Sequence, residues 1–235
     1  MSALKQAGKS WTQEELARRL DYANLQVDAR ESDIRLLCLE AERCGIPTVW
    51  VNPVNVALAS TIARGTGVKI ASVVSYPVGA YPPEIKELEV LDAVEQGADE
   101  IVMLMAVGVF LDGSHDQTRR EMDGLVRAAD GRPTGIIIEV TALSNEQTIC
   151  ACEMAIEVGI DAIVTSTGFR PGGFPDATAA DVERIAAATG ARIDIVASGD
   201  IVSANHTLAM LEAGAARVCT PAARAVLEEL EPCTG

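Results

Sequence analysis

The segment from residue 163 to residue 169 reads Ile163-Val164-Thr165-Ser166-Thr167-Gly168-Phe169. Its first part is apolar and β-branched, which is typical of a strand that is covered on both faces. Its second part is a run of hydroxyl residues that ends in glycine. We therefore expect a buried parallel strand whose polar groups lie at its carboxyl end, the end at which parallel α/β proteins bind their ligands.

Seven other short apolar segments occur along the chain, separated by amphipathic segments of helical period. We predict strands at residues 20–23, 48–51, 69–74, 100–105, 135–139, 162–165, 194–197 and 216–219. Repeated βα units predict an α/β protein, and eight of them fit a (β/α)8 TIM barrel. A doubly wound open sheet is the competing arrangement, but no Gly-x-Gly-x-x-Gly follows an early strand.

The beginning of the chain lies outside these units. Residues 1–19 are typical of an added N-terminal helix, with Ser10 or Thr12 as its cap and with Leu16 and Leu20 on one face. No linker or shift in composition divides the rest of the sequence. We therefore expect a single barrel domain over residues 1–235.

Charge and hydropathy exclude several classes of partner. The chain carries 34 acidic and 19 basic residues, a net charge of −15, which argues against nucleic acid because binding to phosphates requires clustered Lys and Arg. No run of 18 apolar residues occurs, and the first 15 residues are polar, so we expect no membrane segment and a cytoplasmic location.

The residue types that bind metals show no diagnostic spacing. Six cysteines occur without a Cys-x-x-Cys motif or a partner histidine, so reduced buried thiols are expected in place of zinc or disulfides. His115 and His206 lie in a loop-like segment and at a helix start. We predict a site without metal or other cofactor.

Eight short motifs, taken in order, resemble the deoxyribose-phosphate aldolases over residues 20–230. They are Leu20-Asp21, Leu37-Cys38-Leu39-Glu40-Ala41, Val51-Asn52-Pro53, Tyr76-Pro77-Val78-Gly79-Ala80, Gly97-Ala98-Asp99-Glu100-Ile101, Ile137-Ile138-Glu139, residues 165–169 and Ala197-Ser198-Gly199. The resemblance implies a TIM barrel of the aldolase type and a lyase activity.

The same resemblance implies that the lysine chemistry is missing. Members of this family form a Schiff base with a lysine on the sixth strand, which is supported by a second lysine on the seventh and an aspartate on the fourth. The matching positions here are Val164, Val196 and Val102, and a lysine common before the fifth-strand motif is replaced by Gly135. Since these groups are replaced together, we expect an apolar interior wall.

The four lysines of the chain are expected to lie away from the carboxyl ends of the strands. Lys69 begins the third predicted strand, at the opposite end of the barrel, and Lys86 falls in a helical segment. Lys5 and Lys9 precede the barrel. None is expected to replace the missing amine.

The phosphate-binding turns that the resemblance implies are also altered. The turns after the seventh and eighth strands read Ser198-Gly199-Asp200 and Cys219-Thr220-Pro221, which introduces a carboxylate and removes a backbone donor. Arg170 with Gly172-Gly173 remains to attract an anion. We therefore expect a less phosphorylated and more apolar substrate.

Strand alternation places Asp194 and Ser198 on the face of Val196, and Ser166 on the face of Val164. Asp194 is then a carboxylate inside the barrel and forms an acidic trio with Asp21 and Glu139. Buried carboxylates without a cation have raised pKa values and can act as general acids or bases near neutral pH.

Three alternatives remain open at these carboxylates. Asp21 and Glu139 could hold loops by accepting hydrogen bonds. Asp194 could lie lower in the barrel, paired with Arg192 or Arg217. The trio could hold a divalent metal, which we rank below a site without a cofactor.

The leading hypothesis is a lyase or cyclase of specialised biosynthesis that acts without a Schiff base. Its predicted catalytic residues are Asp21, Glu139, Asp194 and Asp200. Its predicted substrate-binding residues are Asn52, Tyr76, Val102, Val164, Thr165, Ser166, Thr167, Arg170, Val196 and Ser198, with Trp50, Tyr22 and Tyr81 as further lining residues.

Two alternative functions remain. One is a catalytically inactive protein that binds a small molecule or a partner protein. The other is a true deoxyribose-phosphate aldolase that uses a displaced lysine. For the leading hypothesis we expect a small-molecule substrate, and a homodimer is one option for the oligomeric state.

Overall fold

The computed structural model describes residues 11–169 and 176–230. Eight parallel strands pair in sequence order, and the eighth pairs with the first, so the sheet closes into a barrel. The predicted (β/α)8 fold is confirmed. The strands are β1 Leu20–Asn24, β2 Thr48–Val51, β3 Lys69–Val74, β4 Glu100–Leu104, β5 Thr134–Ile137, β6 Ala162–Val164, β7 Asp194–Ala197 and β8 Arg217–Thr220.

Helices connect the strands on the outside of the barrel. They are α1 Gln13–Ala17, α2 Glu31–Cys44, α3 Val56–Ala63, α4 Pro83–Glu95, α5 Val107–Leu111, α6 His115–Ala128, α7 Asn145–Val158, α8 Ala179–Thr189, α9 Ala204–Glu212 and α10 Ala223–Glu228. Within the described ranges, no helix combines the length and apolar character that crossing a bilayer requires.

Two apolar cores follow from the alternation of side chains along each strand. Outward residues such as Ile101 and Ile163 pack against the helices in the larger cluster. Inward residues form a second cluster inside the barrel, which includes Val102, Val164 and Val196. Because both faces of each strand are covered, the strands are almost entirely apolar in sequence.

The N-terminal helix is short but well capped. The Thr12 side chain accepts a hydrogen bond from the backbone N–H of Glu15, and the Glu15 side chain accepts from the backbone of Thr12. Leu16 is fully buried, and Gln13 donates to the Leu227 carbonyl at 3.0 Å. Thr12 is thus the cap, whereas Leu20 belongs to β1 and not to this helix.

Three strands end earlier than the sequence predicted. β4 ends one residue early, at Leu104, and the other two are β5 and β6. β5 ends at Ile137 because Glu139 has a left-handed backbone with φ of 51°, which a regular strand cannot contain. β6 ends at Val164, although the carbonyl of Thr165 still accepts a hydrogen bond from the N–H of Val140 at 2.9 Å. Both changes place polar side chains just beyond the barrel wall.

Candidate functional site

A carboxylate joins the carboxyl ends of β5 and β6. Glu139 is buried, and its Oε1 accepts hydrogen bonds from the Ser166 hydroxyl at 2.7 Å and from the backbone N–H of Thr167 at 2.6 Å. Its Oε2 accepts from the Thr167 hydroxyl at 3.0 Å. The left-handed backbone at Glu139 turns its side chain toward the segment that follows β6. The result is a carboxylate surrounded by hydrogen-bond donors at the mouth of the barrel.

The remaining hydroxyl of this segment joins β6 to β7. The Thr165 hydroxyl donates to the Ser198 carbonyl at 2.8 Å and accepts from the Ser198 N–H at 2.9 Å. Thr165, Ser166 and Thr167 are all buried. These contacts close the strand ends, whereas the sequence predicted a substrate-binding role for all three hydroxyls.

Tyr76 extends across the mouth of the barrel. It follows β3, and its hydroxyl donates to the Thr167 carbonyl at 2.9 Å. Its ring packs on the interior cluster and meets the Phe169 ring edge to face, with ring centres 5.7 Å apart. Burial raises the pKa of Tyr76, and nearby Cys219 and Glu139 raise it further. Its hydroxyl therefore remains a hydrogen-bond donor at neutral pH.

The middle of the barrel is apolar at the three positions where the resemblance implies charged groups. Val102, Val164 and Val196 are each 0 % exposed and belong to the interior cluster. A Cβ at Gly135 would lie 3.4 Å from methyl groups of both Val102 and Val164. These valines therefore fill the interior up to the backbone of β5.

The amino ends of the strands hold a network of charges that the sequence did not reveal. Arg217, the first residue of β8, contacts Glu100 of β4 at 2.6 and 3.0 Å. It also contacts Asp21 of β1 at 3.3 Å. Asp21 was predicted to lack a cation, and this expectation was wrong because the side chain of Arg217 reaches it.

One cation thus faces two carboxylates, and they do not share it equally. Burial raises the pKa of Asp21 to about 7, although Arg217 acts in the opposite direction. Asp21 is 0 % exposed. It is therefore a titratable carboxyl group, but it lies at the amino ends of the strands.

Asp194 does not join the other two carboxylates. It is the first residue of β7, and its side chain is exposed. Strand alternation fixes the face on which a residue lies but not its height, and Asp194 lies at the rim below the closed interior. Arg192 pairs with Glu153 and Arg217 with Glu100, so the ion pairs proposed for Asp194 are made by other residues. The predicted acidic trio is not formed.

The other predicted site residues are distributed around the carboxyl ends. Asp200 is exposed in the loop after β7, with a left-handed backbone of φ 43°. Asn52 is half-buried directly after β2, and Ser198 is half-buried after β7. Arg170 lies outside the described residues.

The remaining aromatic candidates divide between the barrel and its exterior. Trp50 is buried within the interior cluster. Tyr22 donates to Glu40 of α2 at 2.9 Å, and so it faces the helices. Tyr81 is exposed and lines a cavity of about 1000 Å³ between the loops after β3 and β4 and the helices α4 and α6.

Neither of the two described lysines reaches the interior of the barrel. Lys69 is exposed and lies 3.4 Å from Asp99. Lys86 is buried in α4, where its amine donates to Glu121 at 2.6 Å and to the Leu104 carbonyl at 2.8 Å, and its burial lowers its pKa. Lys5 and Lys9 lie outside the described residues.

The closed parallel barrel, with polar side chains at the carboxyl ends of its strands, defines a (β/α)8 protein with its candidate site in the strand-end loops. The chain is 37% identical over 214 residues to the deoxyribose-phosphate aldolase of Geobacillus sp. strain WCH70, covering 91% of this chain and 95% of the relative. It is 40% identical to that of Aciduliprofundum boonei, covering 92% and 97%.

A solved structure agrees with these relatives. The deoxyribose phosphate aldolase from Aeropyrum pernix, described as a unique tetramer, matches with a TM-score of 0.86 and 29% identity over 93% of this chain and 92% of that one. No family model matches the chain. The identities and coverage show that the chain belongs to the deoxyribose-phosphate aldolase family.

Proposed function

We propose that this chain is a lyase-type enzyme that acts on a carbonyl compound without forming a Schiff base. The observation that carries the proposal is the apolar interior at Val102, Val164 and Val196, combined with the positions of the two described lysines. Lys86 is already paired with Glu121, outside the barrel. A Schiff base requires an amine that meets the substrate carbonyl. Lys69 lies at the amino end of β3. The Lys86 amine was expected to lie away from the carboxyl ends and instead reaches the Leu104 carbonyl at the end of β4, but Glu121 of α6 holds it on the helix side of that strand.

Glu139 is the carboxylate that we assign to acid–base catalysis. It lies at the mouth, and its position is fixed by the three hydrogen bonds from Ser166 and Thr167. Fixed orientation is a requirement for efficient proton transfer. Asp200 lies at the same end of the barrel and is a secondary candidate, whereas Asp194 and Asp21 lie at the opposite end. No cofactor is part of this mechanism.

The substrate is expected to be less phosphorylated and more apolar than a sugar phosphate. Asp200 brings a negative charge to the loop after β7, and Pro221 provides no N–H in the loop after β8. Both changes disfavour a dianion, while the interior cluster favours an apolar group. A substrate of this kind fits specialised biosynthesis.

We propose a single-domain, cytoplasmic protein that forms homodimers and binds neither nucleic acid nor membranes. The solved relative from Aeropyrum pernix is tetrameric, so sedimentation equilibrium should distinguish one, two and four copies.

The absence of a Schiff base is tested by chemical trapping. The protein is incubated with acetaldehyde or with deoxyribose 5-phosphate and then reduced with sodium borohydride. We expect the intact mass to be unchanged, because the described lysines do not face the site. A reduced adduct that maps to any lysine, Lys86 above all, would restore a lysine-dependent aldolase and overturn the proposal.

The role of the carboxylate is tested by Glu139→Gln. The amide retains one acceptor oxygen but turns a donor group toward Ser166 or Thr167, and it cannot accept a proton as a base. We expect a folded protein whose rate is lower by about a hundred-fold or more. Glu153→Gln, at a surface pair with Arg192, is the matched control and should retain the rate.

A second candidate function is a binding protein without catalysis. The observation that favours it is that Glu139, Thr165, Ser166 and Thr167 already satisfy one another or the backbone. In that case Glu139→Gln would lower stability but would remove no turnover, because the unsubstituted protein would show none.

A further inference from the structure

Tyr76 is the donor at the mouth whose position and exposure differ from those of the other hydroxyls. The hydroxyls of Thr165, Ser166 and Thr167 belong to buried side chains and join neighbouring strands. Tyr76 is only half-buried, and it approaches from β3, which does not neighbour β6 in the barrel. Its ring therefore lies over the interior cluster, and the residue is less enclosed than the three hydroxyl residues.

The present partner of this hydroxyl is itself a carbonyl oxygen. Tyr76 donates to the Thr167 carbonyl at 2.9 Å. A hydrogen bond between neutral groups is weaker than one to a charged oxygen, so a ligand oxygen that develops negative charge can compete for the donor. The Thr167 carbonyl shows that a carbonyl oxygen fits against the Tyr76 hydroxyl.

The base and the donor meet at one residue. The N–H and hydroxyl of Thr167 bind Glu139, while its carbonyl binds Tyr76. A small carbonyl compound bound between Tyr76 and Glu139 would therefore have a donor near its oxygen and a carboxylate near its α-carbon. The apolar cluster beneath the Tyr76 ring offers a surface for an uncharged carbon chain.

We infer that the Tyr76 hydroxyl binds and polarises the carbonyl oxygen of an enolisable aldehyde or ketone, in the role that a Schiff base would otherwise fill. The inference rests on the proposed function, and it adds the group that stabilises the oxyanion. Glu139 takes a proton from the α-carbon, and the C–H electron pair forms the C=C bond. The carbonyl π pair moves to oxygen, where the resulting oxyanion accepts the hydrogen bond from Tyr76.

The electrostatics of the site agree with a donor that remains protonated. Burial, Cys219 and Glu139 all raise the pKa of Tyr76. A neutral donor in a poorly solvated site stabilises developing negative charge without losing its own proton. The Phe169 ring holds the phenol from one edge and limits its rotation.

The inference is tested with propanal in D2O, by measuring by proton NMR the rate at which deuterium enters the carbon next to the carbonyl. We expect exchange by the unsubstituted protein and a rate lower by about 10- to 100-fold in Tyr76→Phe, which retains the ring but loses the donor. Tyr22→Phe is the matched control, because it removes a hydroxyl that binds Glu40 outside the barrel. It should exchange at the full rate.

The exchange rates of the two variants distinguish the role of Tyr76 from the proposed function of Glu139 as a base. If Glu139→Gln abolishes exchange while Tyr76→Phe stays within two-fold of the unsubstituted rate, the role of Tyr76 is wrong and the proposed function stands. If the unsubstituted protein exchanges no faster than Glu139→Gln, both are wrong. If circular dichroism shows that Tyr76→Phe does not fold, fluorotyrosines of different phenol acidity are placed at position 76 instead. A deuterium-exchange rate that does not change with the acidity of the phenol would overturn the inference.

Discussion

The two ends of the barrel hold their carboxylates in different ways. At the amino ends of the strands, the carboxyl groups of Glu100 and Asp21 contact the positively charged guanidinium of Arg217. At the carboxyl ends, the Ser166 and Thr167 hydroxyls and the Thr167 N–H donate to Glu139. An ion network that crosses the interior from β8 to β4 joins opposite walls, whereas hydrogen bonds between neighbouring strands shape a local site.

This difference suggests that the amino ends of the strands mainly stabilise the fold, whereas the carboxyl ends hold the groups that would react. Removing one member of a buried ion network leaves a charge without a partner, which costs several kcal/mol. Removing one neutral hydrogen bond costs less. We therefore expect substitutions at the amino ends of the strands to lower the free energy of unfolding more than substitutions at the carboxyl ends. The carboxyl ends carry the loops that would bind a ligand.

The largest effect is expected at the apolar layer between the two ends. Val164→Lys places an amine at a position with 0 % exposure among other valines. Keeping that amine neutral at pH 7 costs roughly 4–5 kcal/mol, because its folded-state pKa must fall far below its value in the unfolded chain. The unfolded state then binds more protons, so this deficit should shrink as the pH rises toward 10.

Urea unfolding of Val164→Lys at pH 7 and pH 10 measures this effect, and Val164→Met controls for added volume. Borohydride trapping of the lysine variant should give no adduct. A stable lysine variant that forms a reduced adduct with acetaldehyde would contradict the prediction, because an amine among Val102, Val164 and Val196 would then be both tolerated and accessible to a substrate.

The second effect concerns the ion network itself. Arg217→Met removes the cation that faces both Glu100 and Asp21. We expect the free energy of unfolding to fall by about 3 kcal/mol, because Glu100 would be left without its cation and Asp21 without the donor that Arg217 provides. Arg192→Met, which breaks an exposed and solvent-screened pair with Glu153, should cost much less than Arg217→Met. Equal losses in the two variants would contradict a structural role for the network.

The third effect is the pH dependence that the network predicts. Burial raises the pKa of Asp21 to about 7, from 3.8 in the unfolded chain. The folded state therefore binds more protons than the unfolded state between these values, and stability should fall as the pH rises from about 4 through 7. The expected loss is about 2 kcal/mol or more.

Urea unfolding across this pH range should show the fall in the unsubstituted protein and a flatter profile in Asp21→Asn. Asp99→Asn, at the exposed pair with Lys69, should retain the fall. The opposite sign, with stability rising over the same range, would mean that Arg217 dominates the titration of Asp21.

The fold could be predicted because its signals are local. Apolar β-branched runs recur with helical segments between them, and the observed strands begin within one residue of the predicted starts. The end of β5 was less predictable. The left-handed backbone of Glu139 that ends this strand accompanies contacts with residues after β6, which are distant in sequence. Family membership was predicted for the same reason, as it rests on short motifs in a fixed order.

The candidate site was predicted less completely because its contacts are distant in sequence. The pairing of Asp21 with Arg217 spans 196 positions, and no periodicity reveals it. Asp194 was placed on the correct face of its strand but at the wrong height. The bond from Tyr76 to Thr167 joins β3 to β6, and neither segment alone indicates it.

The smallest effect is expected at the hydrogen bonds between β6 and β7. Thr165→Val retains the shape of the side chain but leaves the N–H and carbonyl of Ser198 without the Thr165 hydroxyl. We expect the free energy of unfolding to fall by about 1–2 kcal/mol. Thr61→Val on α3 is the control, because its hydroxyl donates to the Ala57 carbonyl on an exposed surface, and its loss should be near zero. A loss for Thr165→Val as large as that for Arg217→Met would mean that the carboxyl end is as much a structural closure as the amino end, and the separation of stability from chemistry would fail.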